Sequence, residues 1–140
     1  MIFVDSSAWI AVMLKREQHH SRAAKAFESF LSKGTPLVTT DYVLSETYTF
    51  IRHRTKDFAK ILRFDEIVAE AEKEKFLIVR WTDKKVFQEA RRLLLKYSDQ
   101  MFSFVDCVSF ITARELKLKE VFTFDRDFHT MGFQMVPAAG

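Results

Sequence analysis

Short apolar runs separated by helix-length segments constrain this chain most, because three of the runs end in an acid. Ile2-Phe3-Val4 stops at Asp5, Leu37-Val38-Thr39-Thr40 runs into Asp41 with Glu46 about one turn later, and Val121-Phe122-Thr123-Phe124 stops at Asp125. A further carboxylate, Asp106, lies inside Phe102-Ser103-Phe104-Val105-Asp106-Cys107-Val108. Continuously apolar strands, without polar alternation, are covered by helices on both faces, which is the habit of parallel sheets. Parallel strands bring their C-terminal ends to one edge, where open α/β folds hold their ligands. Acids from distant parts of the chain then share one cleft, and such a cluster repels itself unless a cation sits in it.

The elements read as strand Met1–Val4, a short helix around Ala8–Lys15 and a helix over Ser21–Ser32 stopped by Gly34. Strand Pro36–Thr40 leads into a helix from Asp41 to about Arg54, and Lys56–Lys75 reads as one or two helices through Phe58, Ile61, Leu62, Ile67, Val68 and Ala71. Strand Phe76–Trp81 is followed by a helix Asp83–Tyr97, with Asp83 as N-cap, and a helix from about Ser103 to Leu118. Strand Glu120–Phe124, a turn around Asp125–Gly132 and strand Phe133–Val136 complete the pattern, and the tail Pro137-Ala138-Ala139-Gly140 is expected to be loose. Strands alternating with helices predict an α/β sandwich with a mainly parallel sheet.

A length of 140 residues fits one domain over 1–140, and 48% hydrophobic residues with 15 Phe supply its core. The single cysteine permits no intramolecular disulfide. No apolar stretch approaches the ~20 residues that span a bilayer, and the N-terminal run lacks the basic segment and length of a signal peptide. A soluble cytoplasmic protein is the expectation. The net charge of +3 is mild, but with four acids withdrawn into a cleft the remaining surface is more basic. An acidic pocket inside a basic surface suits a polyanion such as nucleic acid.

Asp106 carries the most chemical information. Its neighbours at helical spacing are Phe102, Ser103, Ser109, Phe110 and Ala113, and a carboxylate on such a face is costly to bury unless paired or metal-bound. The plainer alternative is an acid at a helix start, facing water and favoured by the helix dipole. For Asp5 taken alone, helix capping is the stronger reading. Glu46 shares a stripe with Val43 and Phe50, whereas Asp41 reads as an N-cap. Asp125 and Asp127 fit an Asx-type turn, with Asp125 the better ligand candidate and Asp127 a weaker fifth. Together these acids make an all-oxygen site that suits Mg²⁺ or Mn²⁺ and not zinc. Such ions serve hydrolysis of a nucleic-acid backbone.

Other residues give less. His19-His20 reads as a solvated helix start and Cys107 as a core thiol. The three glycines are scattered, so no phosphate-binding loop is present, and Ser6-Ser7 lacks the context of a nucleophile elbow. Arg52-His53-Arg54-Lys56, Lys84-Lys85 and Arg91-Arg92 either contact RNA phosphates or are ordinary exposed helix faces.

These residues resemble those of PIN-domain nucleases, specifically the stand-alone VapC-type toxins of bacterial and archaeal toxin–antitoxin pairs. Asp5-Ser6-Ser7 matches the opening motif, Glu46 the second acid and Ser103-Phe104-Val105-Asp106 the Ser-x-x-Asp segment. Thr123-Phe124-Asp125-Arg126-Asp127-Phe128 matches the closing run. The resemblance spans nearly the whole chain. It implies a PIN-like three-layer α/β/α sandwich and a Mg²⁺- or Mn²⁺-dependent endoribonuclease acting on tRNA or rRNA. It also implies a homodimer and a cognate antitoxin that blocks the active site. Asp5, Asp106 and Asp125 would hold metal, Glu46 would bind it directly or through water, and Ser7 and Thr123 would orient carboxylates. A non-catalytic RNA- or partner-binding domain is the alternative, although such a surface gains nothing from converging acids. A phosphotransferase using Asp5 as nucleophile usually carries a second Asp two residues later, where this chain has Ser7.

Overall fold

The computed structural model describes residues 1–138 and contains β1 (Ile2–Val4), α1 (Ser6–Met13), α2 (His20–Ser32), β2 (Leu37–Thr40), α3 (Asp41–Thr55), α4 (Phe58–Lys73), β3 (Leu77–Arg80), α5 (Lys84–Lys96), α6 (Phe104–Glu115), β4 (Glu120–Phe122), α7 (Asp127–Thr130) and β5 (Gln134–Val136). The five strands form one sheet in the order β3-β2-β1-β4-β5, with every neighbouring pair parallel. Helices cover the sheet to make a three-layer α/β/α sandwich.

The order reverses at β1. The chain builds β2 and β3 outward on one side, then returns to place β4 and β5 on the other. The crevice at such a switch point lies beyond the carboxyl ends of the strands flanking it. Register fixes what sits there. Val4 pairs with Phe122 and the Asp5 amide donates to the Phe122 carbonyl at 3.0 Å, so the residues following β1 and β4 emerge side by side.

Burial follows strand position. β1 and β2 are buried throughout, as continuous apolar runs predict. The outer strand β3 is not, and Ile78 on it is 46% exposed, because an edge strand has a partner on one side only. Trp9 of α1 is fully buried and meets Phe27 and Phe64 edge-on at 5.8 and 5.6 Å between ring centroids. A second aromatic group joins Phe110 of α6 to Phe102 and Phe128 at 5.1 and 4.9 Å. Each such ring contributes about 1.5–3 kcal/mol by leaving water, and together they lock α1 and α6 beside the switch point.

Local signals set the helix ends. Gly34, at φ +66°, occupies the left-handed position past α2, where the Thr35 amide closes onto the Phe30 carbonyl at 2.9 Å. Asp83 caps α5 through the Val86 amide at 2.9 Å. The segment expected as one or two helices is the single helix α4, capped by Asp57. Its apolar positions Phe58 and Leu62 are 67% and 47% exposed, while the Phe64–Val68–Ala71 stripe is buried, with Ile61 and Ile67 packed partly against the core.

Two expectations need correction. Asp41 is not the N-cap of α3. Thr40 takes that place, accepting from the Val43 amide at 3.1 Å, because Asp41 is engaged elsewhere: its Oδ1 accepts from the Thr82 amide and hydroxyl at 2.9 and 2.6 Å. His19 and His20 are not simply solvated. The His19 ring stacks on Phe124 at 4.5 Å and 6°, and His20 Nδ1 lies 2.7 Å from the Ala11 carbonyl. Of the tail, the Ala138 carbonyl accepts from Arg22 Nη2 at 2.8 Å, while Ala139 and Gly140 lie outside the described residues. Cys107 is a buried free thiol, its pKa pushed up to about 11 by burial.

Candidate active site

Asp5 stands at the N-cap of α1, directly beyond β1, and is 2% exposed. Its Oδ2 accepts from the Ser7 hydroxyl at 2.8 Å, the Ser7 amide at 3.4 Å and the Thr123 hydroxyl at 2.9 Å. The capping bond to Ser7 and the tie to the end of β4 therefore share one carboxylate oxygen. Thr123, at the end of β4, also accepts from the Asp125 amide at 3.0 Å, and the Phe124 amide donates to Ser7 Oγ at 3.0 Å. These bonds stitch the strand ends together around Asp5.

Asp106 enters from α6. It occupies the third position of a capping box: its amide donates to Ser103 Oγ and its Oδ2 accepts from the Ser103 amide, both at 3.0 Å. Asp106 does stand at a helix start, but at 9% exposure it is buried and does not face water as the plainer sequence alternative expects. The capping box spends one oxygen on the helix end and fixes the rotamer that turns the group inward.

The structure brings Asp106, Asp125 and Asp127 closest. One carboxylate oxygen from each lies within 4.8 Å of the others. Asp127 was the weakest candidate in the sequence because Asp-x-Asp after a strand suggests a turn. That turn exists, with the Asp127 amide donating to Asp125 Oδ1 at 2.9 Å, and it is the device that swings both carboxylates toward α6. Asp5 and Glu46 are not among these three; Glu46, half-buried on α3, is tied to Asp5 through Ser6, whose hydroxyl donates to Glu46 Oε1 and lies 3.5 Å from Asp5 Oδ1. The sequence assigns Ser6 no separate role within Asp5-Ser6-Ser7, because nothing local distinguishes its hydroxyl from that of Ser7.

Electrostatics show an uncompensated site. Burial is the main cause that pushes Asp5 up to about 6, against hydrogen bonds from Ser7 and Thr123 and with repulsion from Asp125. Burial, then repulsion from Asp5 and Asp125, pushes Asp106 up to about 7. Asp127 is raised by burial and by Asp125. Among the described residues no Lys, Arg or His forms an ion pair with any of these acids. Clustered carboxylates, all oxygen donors and no countercharge from the protein fit a hard divalent cation.

An open groove of about 1080 Å³ adjoins the site, lined by Leu44, Tyr48, Phe50, Trp81 and Val105, with Glu46 on its wall. Trp81 is 77% exposed there. The basic residues Arg52, Lys84, Lys85, Arg91 and Arg92 are exposed, while Arg54 lies 3.8 Å from Glu17. No helix among the described residues is long and apolar enough to cross a membrane.

The chain is 28% identical over 137 residues to a Mycobacterium tuberculosis protein named 23S rRNA-specific endonuclease VapC20, covering 95% of each. It is 26% identical over 136 residues to a VapC ribonuclease of Aquifex aeolicus, covering 97% of this chain and 96% of the relative. The crystal structure of Mycobacterium tuberculosis VapC20, described as a sarcin-ricin loop cleaving toxin, superposes with a TM-score of 0.80 at 27% identity, covering 96% of this chain and 97% of that one. The PIN domain model matches residues 2–134. The chain belongs to the PIN-domain family.

Proposed function

We propose that this chain is the endoribonuclease toxin of a toxin–antitoxin pair, working as a single PIN domain over 1–140 in the cytoplasm and hydrolysing RNA with Mg²⁺ or Mn²⁺. The observation that carries the reading is the Asp106–Asp125–Asp127 cluster, with Asp5 and Asp106 pushed up mainly by burial and no basic side chain in an ion pair with these acids among the described residues. Asp5, Asp106 and Asp125 would hold the metal, Asp127 adds a further oxygen, and Glu46 binds directly or through water. When bound, the ion supplies the charge that orients a phosphodiester, acidifies a water and stabilises the leaving oxygen.

The chain's own residues do the rest. Thr123 and Ser7 hold Asp5 with Oδ2 fully committed, which leaves Oδ1 for the site. Glu46 faces the open groove and is held by Ser6, and a carboxylate so placed would orient an attacking water and take its proton. The exposed Lys and Arg residues of α3 and α5 track the RNA backbone, so binding weakens as salt rises. Ribosomal RNA is the first substrate to test, since VapC20 is named for acting on 23S rRNA; tRNA is the second. The apolar groove beside Glu46 supports an antitoxin segment laid along α3 and reaching the acids, and a homodimer is expected by family resemblance.

The test is incubation of purified protein with structured RNA in Mg²⁺ or Mn²⁺. EDTA and the Asp5→Asn/Asp106→Asn double variant serve as controls. Cleavage that both controls abolish supports the nuclease. Equal RNA affinity for both proteins, with no cleavage by either, supports the non-catalytic binding domain instead.

A further inference from the structure

The two serines after Asp5 have separate partners. Ser7 is committed to Asp5 Oδ2 and to the Phe124 amide. Ser6, 6% exposed at the first position of α1, donates to Glu46 Oε1, forty residues away. Its Oγ also lies 3.5 Å from Asp5 Oδ1. A hydroxyl has one proton to donate, so these two carboxylates compete for it, and the closer acceptor, Glu46, holds it.

Glu46 has two places to go. It lines the open groove beside α3, and it is a long side chain with several rotatable bonds, while its Oε1 is held on the Asp5 side by Ser6. Without a contact on the Asp5 side, rotation about those bonds carries it outward into the groove. The Ser6 hydroxyl is the contact that holds it. We propose that Ser6 is a positioning residue that draws Glu46 from the α3 groove to the Asp5 side of the site, a role that rests on the nuclease reading above. Alanine at this position leaves the backbone of α1 intact and removes the donor. Threonine keeps it.

The experiment compares wild type, Ser6→Ala, Ser6→Thr, Glu46→Ala and the Ser6→Ala/Glu46→Ala double variant. It reads Mn²⁺ affinity of the RNA-free protein by titration, kcat and KM for RNA, and the melting temperature as a fold control. Ser6→Ala is expected to weaken Mn²⁺ binding about 10-fold and lower kcat by about 10- to 100-fold, the range for lost outer-shell partners, with KM and melting temperature nearly unchanged. Ser6→Thr restores both. In the Glu46→Ala background Ser6→Ala has no further effect on Mn²⁺ affinity, because it acts through Glu46. Wild-type behaviour of Ser6→Ala, or an undiminished loss in the Glu46→Ala background, overturns the positioning role and leaves the nuclease reading standing. A wild-type protein that neither binds Mn²⁺ nor cleaves RNA overturns both.

Discussion

Thr123 donates to Asp5 Oδ2 at 2.9 Å across the boundary between β4 and β1. The Thr123 hydroxyl oxygen in turn accepts from the Asp125 amide at 3.0 Å, so one hydroxyl sets the spacing between two acids more than a hundred residues apart. Thr123→Val keeps the shape and removes both bonds. Asp5 then loses a contact that holds its pKa down. Mn²⁺ affinity at neutral pH is expected to drop about 10- to 100-fold, measured by calorimetric titration; an unchanged affinity would show that the spacing is set elsewhere.

The raised acids make stability depend on pH in a definite direction. Asp5 at about 6 and Asp106 at about 7 both lie above the ordinary 3.8, so the folded protein holds protons that the unfolded chain releases. Their contribution to stability is complete below about pH 4 and is lost as pH rises through 6 and 7. In EDTA the melting temperature should fall between about pH 5 and pH 8, and Mn²⁺ should restore more of it at pH 8. Asp106→Asn keeps a side-chain acceptor for the Ser103 amide and removes a charge, so it should flatten the fall. A melting temperature that rises over this interval contradicts the argument.

Asp127 shares the cluster with Asp106 and Asp125 while its amide closes the turn onto Asp125. Asp127→Asn preserves that backbone bond. Mn²⁺ binding should weaken by about 10-fold with little change in melting temperature. A drop in melting temperature with intact Mn²⁺ binding would assign Asp127 to the turn alone.

Asp41 supplies the contrast. Its carboxylate ties α3 to the segment leading into α5 through Thr82. Asp41→Ala should cost roughly 1–2 kcal/mol in a denaturant melt, the scale of hydrogen bonds to a charged acceptor on a half-exposed group. Its Mn²⁺ affinity should match that of wild type. Loss of metal binding instead would place Asp41 in the site and Glu46 outside it.

The sequence carried the parts of this architecture that local chemistry writes. Apolar runs without alternation marked β1, β2 and β4 as covered strands, and Asp5 and Asp125 declared their strand-end positions. Asp106 stood out against Phe110 and Ala113. Contacts decided by tertiary approach were not readable. Asp127 looked like a turn residue because it is one, and only the arrival of α6 makes that turn bring its carboxylate toward Asp106. His19 looked solvated because Phe124, its stacking partner, is more than a hundred residues away. Asp41 looked like a cap because nothing near it announces Thr82, and Ser6 is locally indistinguishable from Ser7.

The most direct measurement is electron paramagnetic resonance of Mn²⁺ titrated into metal-free protein at about pH 7.5, comparing wild type with Asp106→Asn, alongside RNA cleavage in the same samples. The account predicts saturable binding by the wild type, cleavage that rises with site occupancy, and loss of both in a variant that stays folded. Cleavage that proceeds without bound Mn²⁺ or Mg²⁺, or binding undiminished in Asp106→Asn, would contradict it.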